Sequence, residues 1–349
     1  MIILTIFLAI AFACSDFQLK SNDGSVVCGR GMDFSIPLDS QIIVFNRETF
    51  FNSTAPDGSQ GFKWKSKYGF IGINAFGAKW VDEGMNEHGL SCGYLELDET
   101  RYPFVNKSNY NKSMAITDLC MWILSSFKTT DEVILPFLNK VEVWGNKIPV
   151  LNIEMGLHIP IHDAHGHNLV IEFLDGEVAL YEDNILGILT NDPSLFYQWN
   201  NLGRYNSLTP NETDVIINGD IIRPNGDGLQ GLPGSFSSAD RFVRIATLIR
   251  YLEGLNTASD AVIAVANILN SVNIIKGISR DVDKGKTTFE TTHWTTIKDL
   301  TNKIFYYRNG DGVLRAIYLN KINFNPGIDH SSLVIKDSKP FVLDVTLNL

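Results

Sequence analysis

Cys14 is the residue of this chain whose position most directly suggests covalent chemistry. It follows an apolar run, MIILTIFLAIAFA, whose removal would give Cys14 both a thiol and a free α-amine. An α-amine has a reference pKa of about 7.7–8.0, against about 10.4 for lysine, so near neutral pH a useful fraction is a free base. Such an amine can take the proton of its own thiol without a histidine partner. Cys14 is therefore a candidate nucleophile that carries its own general base.

Arg30 and Asp33 follow Cys14 by 16 and 19 positions, in the segment CGRGMDF. On a bent strand after a turn, this pair can fold back onto Cys14. Asp33 would then accept a hydrogen bond from the amine and orient it, and Arg30 would stabilise the thiolate by its charge. An Arg-x-x-Asp pair is also typical of a surface ion pair, so the spacing alone does not distinguish these interpretations.

Residues 1–13 are interpreted as a signal peptide that is removed. The run is too short to span a bilayer of about 30 Å as a helix, and Ala11 and Ala13 stand at positions −3 and −1 of a cut before Cys14. No Lys or Arg precedes the run, and a buried N-terminal strand is the alternative. Cleavage predicts a secreted or lumenal protein (extracellular, lysosomal, vesicular or periplasmic) that keeps no stable membrane insertion.

A lipoprotein signal also ends at a cysteine, which gives Cys14 a second possible fate. A lipidated Cys14 with an acylated amine cannot act as a base, so lipidation and amine-assisted catalysis exclude each other. Ala11 and Phe12 are unfavourable neighbours for a lipoprotein cut.

Other constellations give weaker signals. Four of the seven histidines, His158, His162, His165 and His167, are clustered, as a metal site would require, but no Cys or dense carboxylate set lies nearby. We interpret them as the polar end of a hairpin. No G-x-S-x-G elbow supports a serine nucleophile.

The elements that must position these residues change type along the chain. Residues 14–100 combine β-branched and aromatic residues with Gly and Asn-Gly-type turns, which predicts strands. Residues 113–128 and 129–141 have helical apolar spacing, the second segment with Thr130 or Asp131 as N-cap.

Residues 157–193 return to strands, with turns at His165-Gly166 and Asp175-Gly176. Two helices follow at 237–254 and 257–272, the first capped by Ser237 or Ser238 and ending at Gly254, before terminal hairpins. Strand blocks followed by helix blocks predict layered α+β architecture with antiparallel sheets in one domain, residues 14–349.

Charge and cysteine content limit the partners. The formal charge of −10 and the lack of a Lys/Arg stripe argue against nucleic acid, because phosphate binding requires a basic face. Four scattered cysteines are too few for a disulfide framework. One bridge is possible, and the sequence does not indicate which.

Five ordered motifs carry a family resemblance. A cysteine at the predicted mature N-terminus, then DGSVVCGRGMDF, GMNEHGL, ILTNDP and GLPGSFSSADRFVR, resemble the choloylglycine hydrolases. This family of N-terminal-nucleophile hydrolases contains bile salt hydrolases and penicillin V acylases. The resemblance extends from Cys14 to at least Arg308, where HWTTIKDLTNKIFYYR is similar to the late strands of the family.

The resemblance implies a four-layer αββα sandwich, no cofactor, and hydrolysis of a non-peptide linear amide through a Cys-acyl intermediate. Carried over by motif, Cys14 is nucleophile and base, flanked by Arg30 and Asp33. Asn191 in TNDP would donate to the oxyanion, although a turn-capping role also fits NDP. Arg241 in SSADRF would complete the polar ring, and a homo-oligomer is a further family-based expectation.

Substrate identity is less specific. Conjugated bile acids are the first expectation, with phenoxyacetyl β-lactams, N-acyl homoserine lactones and fatty-acyl amides as alternatives. Where the family places Asn or Tyr near the oxyanion, this chain has Glu96, and a carboxylate does not donate unless protonated. Three explanations fit this difference: a backbone N–H serves there, the alignment slips by a residue or two towards Tyr94 or Leu95, or Glu96 faces elsewhere. A binding relative without turnover is the competing class.

Aromatic residues suggest where an apolar acyl group would bind. The segments GFKWKSKYGF, with Phe62, Trp64, Tyr68 and Phe70, and WILSSFK are candidates for lining such a pocket. Aromatic residues at this spacing are also typical of a plain core.

Overall fold

The computed structural model describes residues 13–148, 150–223, 226, 228–283, 286–310 and 312–336. The predicted signal peptide lies outside these ranges except for Ala13, which is buried.

The described chain contains more β-strand than helix. In chain order they are β1 (Ser15–Lys20), β2 (Val26–Phe34), β3 (Gln41–Phe45), β4 (Phe50–Thr54), β5 (Gln60–Lys65), β6 (Phe70–Ile73), β7 (Glu83–Asn86), β8 (Ser91–Gly93), β9 (Leu95–Glu96), β10 (Ser113–Ala115), β11 (Glu142–Trp144), β12 (Lys147–Ile148), β13 (Ile153–Glu154), β14 (Leu157–His162), β15 (Asn168–Leu174), β16 (Glu177–Glu182), β17 (Ile188–Thr190), β18 (Val215–Ile217), β19 (Asp220–Ile222), β20 (Ser279–Asp283), β21 (Lys286–Asp299), β22 (Ile304–Asn309), β23 (Arg315–Tyr318) and β24 (Leu333–Val334).

Two antiparallel sheets contain most of these strands. The first has the order β17-β1-β2-β21-β22-β23, with β20 paired to β21. The second has the order β16-β15-β14-β8-β7-β6-β3-β24, with β9 paired to β14. The turns predicted within residues 157–193 are present, and both Asp175 and Gly176 have positive φ, as a tight hairpin turn requires. Pairs β4–β5, β10–β11, β12–β13 and β18–β19 form separate ribbons.

Helices cover the outer faces of the sheets. They are α1 (Ile116–Ser126), α2 (Thr130–Lys140), α3 (Leu195–Leu202), α4 (Ser238–Arg250) and α5 (Ala258–Val272). Helices α4 and α5 pack on β17, β1 and β2, whereas α1 packs on β7 and β8 of the second sheet. The predicted four-layer α+β sandwich is confirmed, with the two sheets facing each other in the middle.

Gly29 of β2 shows how closely the outer layer packs. A Cβ atom there would lie 2.3 Å from Val265 of α5. Arg30, the next residue along the strand, lies instead between the sheets, because side chains alternate between the faces of a sheet. The segment CGRGMDF therefore places small residues under the helix and functional groups inside the sandwich.

The predicted helices are confirmed, with three corrections at their ends. The first helix begins at Ile116, because Ser113–Ala115 form β10 and pair with β11. The N-cap of α2 is Thr129, with extended backbone geometry, rather than Thr130 or Asp131. The backbone N–H of Thr130 donates to Oδ2 of Asp163, the residue after β14, at 3.1 Å. Helix α4 begins after Ser237 as predicted, but it ends at Arg250 and not at Gly254. Tyr251 leaves helical geometry there, and its hydroxyl donates to the carbonyl of Leu208.

A disulfide joins Cys92 of β8 to Cys120 of α1, whereas Cys14 and Cys28 are free and buried. This bridge ties the second sheet to its covering helix. None of the described helices has both the length and the apolar character needed to cross a membrane.

Candidate active site

Cys14 lies immediately before β1, at the edge of the space between the two sheets, and is 1% exposed. Strand β1 pairs with β2 so that Asp16 stands opposite Arg30. This register brings Nη2 of Arg30 to 3.7 Å from Sγ of Cys14, with Sδ of Met32 at 3.6 Å. The predicted approach of Arg30 to Cys14 is therefore present.

Arg30 is held by acceptors on the second sheet. Its Nη1 donates to the carbonyl of Asp82 and to Oε2 of Glu83, both at 2.9 Å. Its Nη2 donates to the carbonyl of Tyr94 and lies 3.2 Å from Oδ2 of Asp82. A Cβ at Gly93 would lie 2.7 Å from Nη1 and 2.1 Å from Glu83, so a glycine there leaves room for the ion pair. Arg30 thus joins the two sheets directly behind the thiol.

A buried ionic network extends from this pair. Lys298 of β21 donates to Oε1 of Glu83, and its Nζ is 3.7 Å from Oδ2 of Asp16. Oδ1 of Asp16 is bonded to Nε2 of His162, whose Nδ1 is 3.0 Å from Oε1 of Gln18. Because the side chains of Asp16, Glu83 and Lys298 are at most 1% exposed, water screens these charges poorly.

Arg241, on α4, reaches Cys14 from the outer layer. Its Nη1 donates to the carbonyl of Cys14 and to Oγ of Ser15, and its Nη2 donates to Oδ1 of Asn191 at 2.9 Å. A guanidinium on Oδ1 fixes the orientation of the Asn191 amide, because the amide nitrogen must then face the other way. Nδ2 of Asn191 accordingly points to the carbonyl of Glu96, at 3.0 Å.

Asp33 follows a register shift in β2, between Met32 and Asp33. Its Oδ1 accepts a hydrogen bond from Oγ1 of Thr292 on β21. Its carboxylate raises the pKa of the Cys14 thiol and its backbone lowers that pKa, so Asp33 acts on the thiol at close range. The structure therefore brings together all five residues that the sequence analysis singles out: Cys14, Arg30, Asp33, Asn191 and Arg241.

Burial governs the protonation of this cluster. It raises the pKa of the Cys14 thiol to about 11 while the chain still continues through Ala13, although the charge of Arg30 opposes the rise. Burial likewise raises the pKa of Asp33 to about 7, against the charge of Arg241 and the Thr292 hydrogen bond. In this state the thiol is neutral near pH 7, so ionising it requires a nearby base.

The two arginines respond differently to burial. Burial lowers the pKa of Arg241 below its ordinary value despite the opposing charge of Asp33. Burial acts in the same direction on Arg30, but the carboxylates of Asp82 and Glu83 outweigh it and hold the pKa of Arg30 above its ordinary value. Both guanidiniums therefore remain charged at neutral pH, because the ordinary pKa of arginine is above 12.

A cavity opens beside the thiol. Apolar side chains form most of its wall: Met32, Phe34, Leu38, Phe76, Trp80 and Met155. Asp82 and Glu96 supply its carboxylates. The aromatic segments considered for this pocket are not among the described lining residues; Trp64, for example, donates to Ser125 of α1 and belongs to the core.

Tyr94 and Glu96 occupy positions that the sequence left uncertain. The hydroxyl of Tyr94 donates to the carbonyl of Ile116 and accepts from the N–H of Cys120, so it is engaged by α1. Glu96 is partly buried, lines the cavity, and meets Asn191 through its backbone carbonyl. Glu96, which stands where the family resemblance leads one to expect Asn or Tyr, thus contacts Asn191 through its main chain.

The histidine prediction is wrong for two of the four residues. His158 and His162 are both buried in β14, where His158 is 3.0 Å from Glu172 and His162 is bonded to Asp16. His165 and His167 do lie at the hairpin end, as predicted. Within the described residues, no group of three or more His, Cys, Asp or Glu side chains is arranged to hold a metal ion.

Several buried residues around the thiol were missed by the sequence analysis. Glu83 lies on β7, Asp16 on β1, and both Lys298 and the partly buried Thr292 on β21. Glu83 contacts Arg30 and Thr292 contacts Asp33, whereas Lys298 contacts Glu83 and Asp16. The available signal was a charged residue inside an otherwise buried strand pattern, such as Lys298 in TTIKDL. That signal does not indicate a partner, because strand register decides which charges meet.

Known proteins of one family match this chain over nearly all of the residues that the structure describes. The sequence model of the family described as linear amide C–N hydrolases, choloylglycine hydrolase family, matches residues 14–336. A bile salt hydrolase/transferase of Clostridium perfringens is 28% identical over 89% of this chain and 94% of its own length. A penicillin V acylase of Pectobacterium atrosepticum is 24% identical over 93% of this chain and 86% of its own.

Solved structures agree with the sequence matches. A variant of the conjugated bile acid hydrolase from Clostridium perfringens superposes with a TM-score of 0.80 and 25% identity, covering 95% of this chain and all of its own. Penicillin V acylase from Agrobacterium tumefaciens gives a TM-score of 0.73 at 21% identity, over 90% of this chain and 89% of its own, which is a likeness of fold.

Proposed function

Since the chain belongs to the choloylglycine hydrolase family of linear amide C–N hydrolases, we propose that Cys14, as the first residue of the mature chain, is the nucleophile that cleaves an N-acyl amide with an apolar acyl portion. The observation that carries this proposal is the convergence of Arg30, Asp33, Asn191 and Arg241 on Cys14. The mature protein is residues 14–349, directed to a secreted or lumenal compartment by residues 1–13. The family match begins at residue 14, which supports this cut.

Removal of the leader supplies the missing base. In the uncleaved chain the Cys14 nitrogen is an amide, which is not basic, and the pKa of the thiol is about 11. Cleavage converts that nitrogen into an amine within the same residue, so the thiol proton has an acceptor that needs no further positioning. Asp33 orients the amine by accepting a hydrogen bond, and Arg30, 3.7 Å from Sγ, stabilises the thiolate.

The reaction then proceeds in two halves. The thiolate attacks the amide carbonyl, and the resulting oxyanion accepts a hydrogen bond from Nδ2 of Asn191, whose orientation Arg241 fixes. The C–N bond breaks as the Cys14 ammonium returns its proton to the leaving amine. Water, deprotonated by the same amine, cleaves the thioester and releases the acid with the free thiol. No cofactor takes part in this sequence.

The wall of the cavity, most of it aliphatic or aromatic, favours an apolar acyl group, and the cavity of about 20 Å³ must widen to admit one. The names of the relatives put conjugated bile acids first among the substrates to test, followed by phenoxyacetyl β-lactams, N-acyl homoserine lactones and fatty-acyl amides. The reaction is the same for all of them.

The experiment is an amine-release assay on protein that begins at Cys14, combined with intact-mass analysis of protein processed from the full chain. Expected results are a mature N-terminus at Cys14, turnover of at least one acyl series, and loss of turnover in Cys14→Ala. A lipidated or leader-bearing Cys14 in active protein would overturn the amine-base mechanism. A properly folded, unblocked Cys14 protein that cleaves none of the series would support a binding relative instead.

A further inference from the structure

Gln198 of α3 is a buried polar side chain that the reaction described above does not use, and it is 1% exposed. Its Nε2 lies 3.4 Å from the carbonyl oxygen of Asn191, 3.2 Å from that of Pro193 and 3.3 Å from Oγ of Ser238. Both carbonyl oxygens can only accept a hydrogen bond, so the end of the Gln198 amide that faces them is the nitrogen, which donates. Gln198 therefore holds the main chain of the residue proposed as oxyanion donor.

Ser238, the third acceptor, is the first residue of α4, and Arg241 lies about one turn further along that helix. Oγ of Ser238 donates to Oγ1 of Thr190 at 2.9 Å, and Oγ1 of Thr190 donates to the carbonyl of Ser238 at 3.2 Å. Thr190 ends β17 and immediately precedes Asn191. These bonds, with those of Gln198, tie the start of α4 to the chain on both sides of Asn191.

Helix α3, which carries Gln198, is itself held by the second sheet. The backbone N–H of Leu195, its first residue, donates to Oε1 of Glu172 on β15 at 3.0 Å. The same oxygen lies 3.0 Å from Nδ1 of His158 on β14, and the side chains of Glu172 and His158 are completely buried. Gln198 is thus presented to the Asn191 segment by a helix whose start is fixed.

The direction of the Asn191 amide depends on two elements that are far apart in the sequence. Nη2 of Arg241, 50 positions later, holds Oδ1 of Asn191 from α4, whereas the backbone of Asn191 continues from β17. If α4 and the end of β17 moved apart, the amide would turn with Arg241, and Nδ2 would leave the place where the oxyanion forms. A misplacement of about 1 Å can cost about 10²-fold in rate. Gln198 contacts both elements and therefore opposes this movement.

The oxygen of the Gln198 side chain argues against a purely structural role. Within the described residues, Oε1 of Gln198 is buried and has no hydrogen-bond partner. A buried, unpaired acceptor destabilises a folded protein, so packing alone would favour an apolar side chain of similar length, such as methionine. The glutamine is explained by the acceptors that its nitrogen joins.

We propose that Gln198 is a positioning residue for the amide cleavage: by joining the Asn191 carbonyl to Ser238, it keeps the Asn191 side-chain amide directed at the oxyanion. This inference rests on the proposed function and adds to it a residue that acts through Asn191. Because the oxyanion forms on the way to the transition state, loss of Gln198 lowers kcat and leaves KM nearly unchanged.

The test is a double-mutant cycle on protein that begins at Cys14, with steady-state kinetics on the best amide substrate. Gln198→Met keeps the length of the side chain and removes the donor. We expect it to lower kcat about tenfold to one hundredfold, with KM within about threefold of the parent. In an Asn191→Asp background, where the proposed oxyanion donor is already absent, Gln198→Met should change kcat by no more than about twofold.

Asn200→Met is the matched control. Asn200 lies on the same helix, is exposed, and donates from Nδ2 to the carbonyl of Phe196 at 2.9 Å, so its replacement should leave kcat unchanged. Each kcat is referred to the amount of protein that forms acyl-enzyme in a quenched burst, so that unfolded molecules are not counted. If Gln198→Met does not fold, Ser238→Ala, which removes the acceptor at the other end of the link, is measured through the same cycle and should lower kcat only when Asn191 is present.

Three outcomes decide against parts of this account. A kcat for folded Gln198→Met within twofold of the parent overturns the inference and leaves the proposed function standing. Equal losses with and without Asn191 also overturn the inference, because they show a structural effect that does not pass through the Asn191 amide. A parent protein that cleaves no amide of any acyl series overturns the proposed function, and the inference with it.

Discussion

Nη2 of Arg30 lies 3.7 Å from Sγ of Cys14, and both side chains are almost completely buried between the two sheets. A guanidinium at this position favours the thiolate, while burial favours the neutral thiol. In the uncleaved chain the pKa of the thiol is about 11, so burial outweighs the charge of Arg30. That charge alone does not ionise the thiol. Arg30 therefore supports the amine-assisted ionisation that we propose, and does not replace it.

Asn191→Asp should reduce kcat by about 10²–10³, with KM changed by only a few-fold. The variant keeps an acceptor for Arg241 but removes the proposed amide donor to the oxyanion, which is needed mainly in the transition state. Steady-state kinetics on the best amide substrate measure the effect. Asn200→Asp, at an exposed position on α3, serves as the control. A folded Asn191→Asp protein with kcat within threefold of the parent would contradict the assignment.

Glu83 and Lys298 should show strong energetic coupling. Glu83→Gln or Lys298→Met alone leaves an uncompensated charge in the buried network, which typically costs about 3–5 kcal/mol in the free energy of unfolding. The double variant removes both charges together and should cost clearly less than the sum of the single changes. Denaturant unfolding of all four proteins completes the cycle. Additive costs would show that the ion pair does not act as a unit.

Replacing Thr292 by valine should shift the pH dependence of kcat/KM. Its hydroxyl lowers the pKa of Asp33, so Thr292→Val should raise that pKa above the present value of about 7. If ionised Asp33 orients the amine, the acidic limb of kcat/KM moves to higher pH, by about half a unit to one unit for a bond worth about 1 kcal/mol. Profiles from pH 5 to 9 measure the shift. An unchanged limb, or one displaced to lower pH, would contradict this role.

The Cys92–Cys120 bridge should contribute to stability. It closes a loop with a sequence separation of 28, for which the chain-entropy treatment gives about 3–4 kcal/mol. A Cys92→Ala, Cys120→Ala double variant should unfold at lower temperature than the parent under oxidising conditions. Reductant should lower the unfolding temperature of the parent towards that of the variant and leave the variant unchanged. Equal unfolding temperatures without reductant would indicate that the bridge adds no stability.

The local pattern of apolar and capping residues in the sequence was sufficient to predict most of the helices and strands that position the site. Helices α1, α4 and α5 follow from apolar spacing and capping residues, and the predicted strands in residues 14–100 and 157–193 are present. Helix α3, only eight residues long, was missed because Leu195–Leu202 follows a turn segment and is too short to show a clear period.

Site residues on distant elements depended on family resemblance or on the structure itself. Without the family resemblance, the sequence does not place Arg241 in the site. A cation near a helix start opposes the helix dipole, so helix stability does not explain an arginine there. Its burial against Cys14 and Asn191 supplies the missing reason. Lys298 had no sequence signal for its partner, because β21 meets β2 and Glu83 only through strand register and sheet packing.

Trapping the acyl-enzyme tests the central claim most directly. Protein processed from the full chain is mixed with the best amide substrate, quenched in acid during turnover, digested and analysed by mass spectrometry. The account predicts an N-terminal peptide that begins at Cys14, is heavier by one acyl group, and loses that group with hydroxylamine. An active protein whose acyl group is on another residue, or whose Cys14 still follows Ala13, would contradict it.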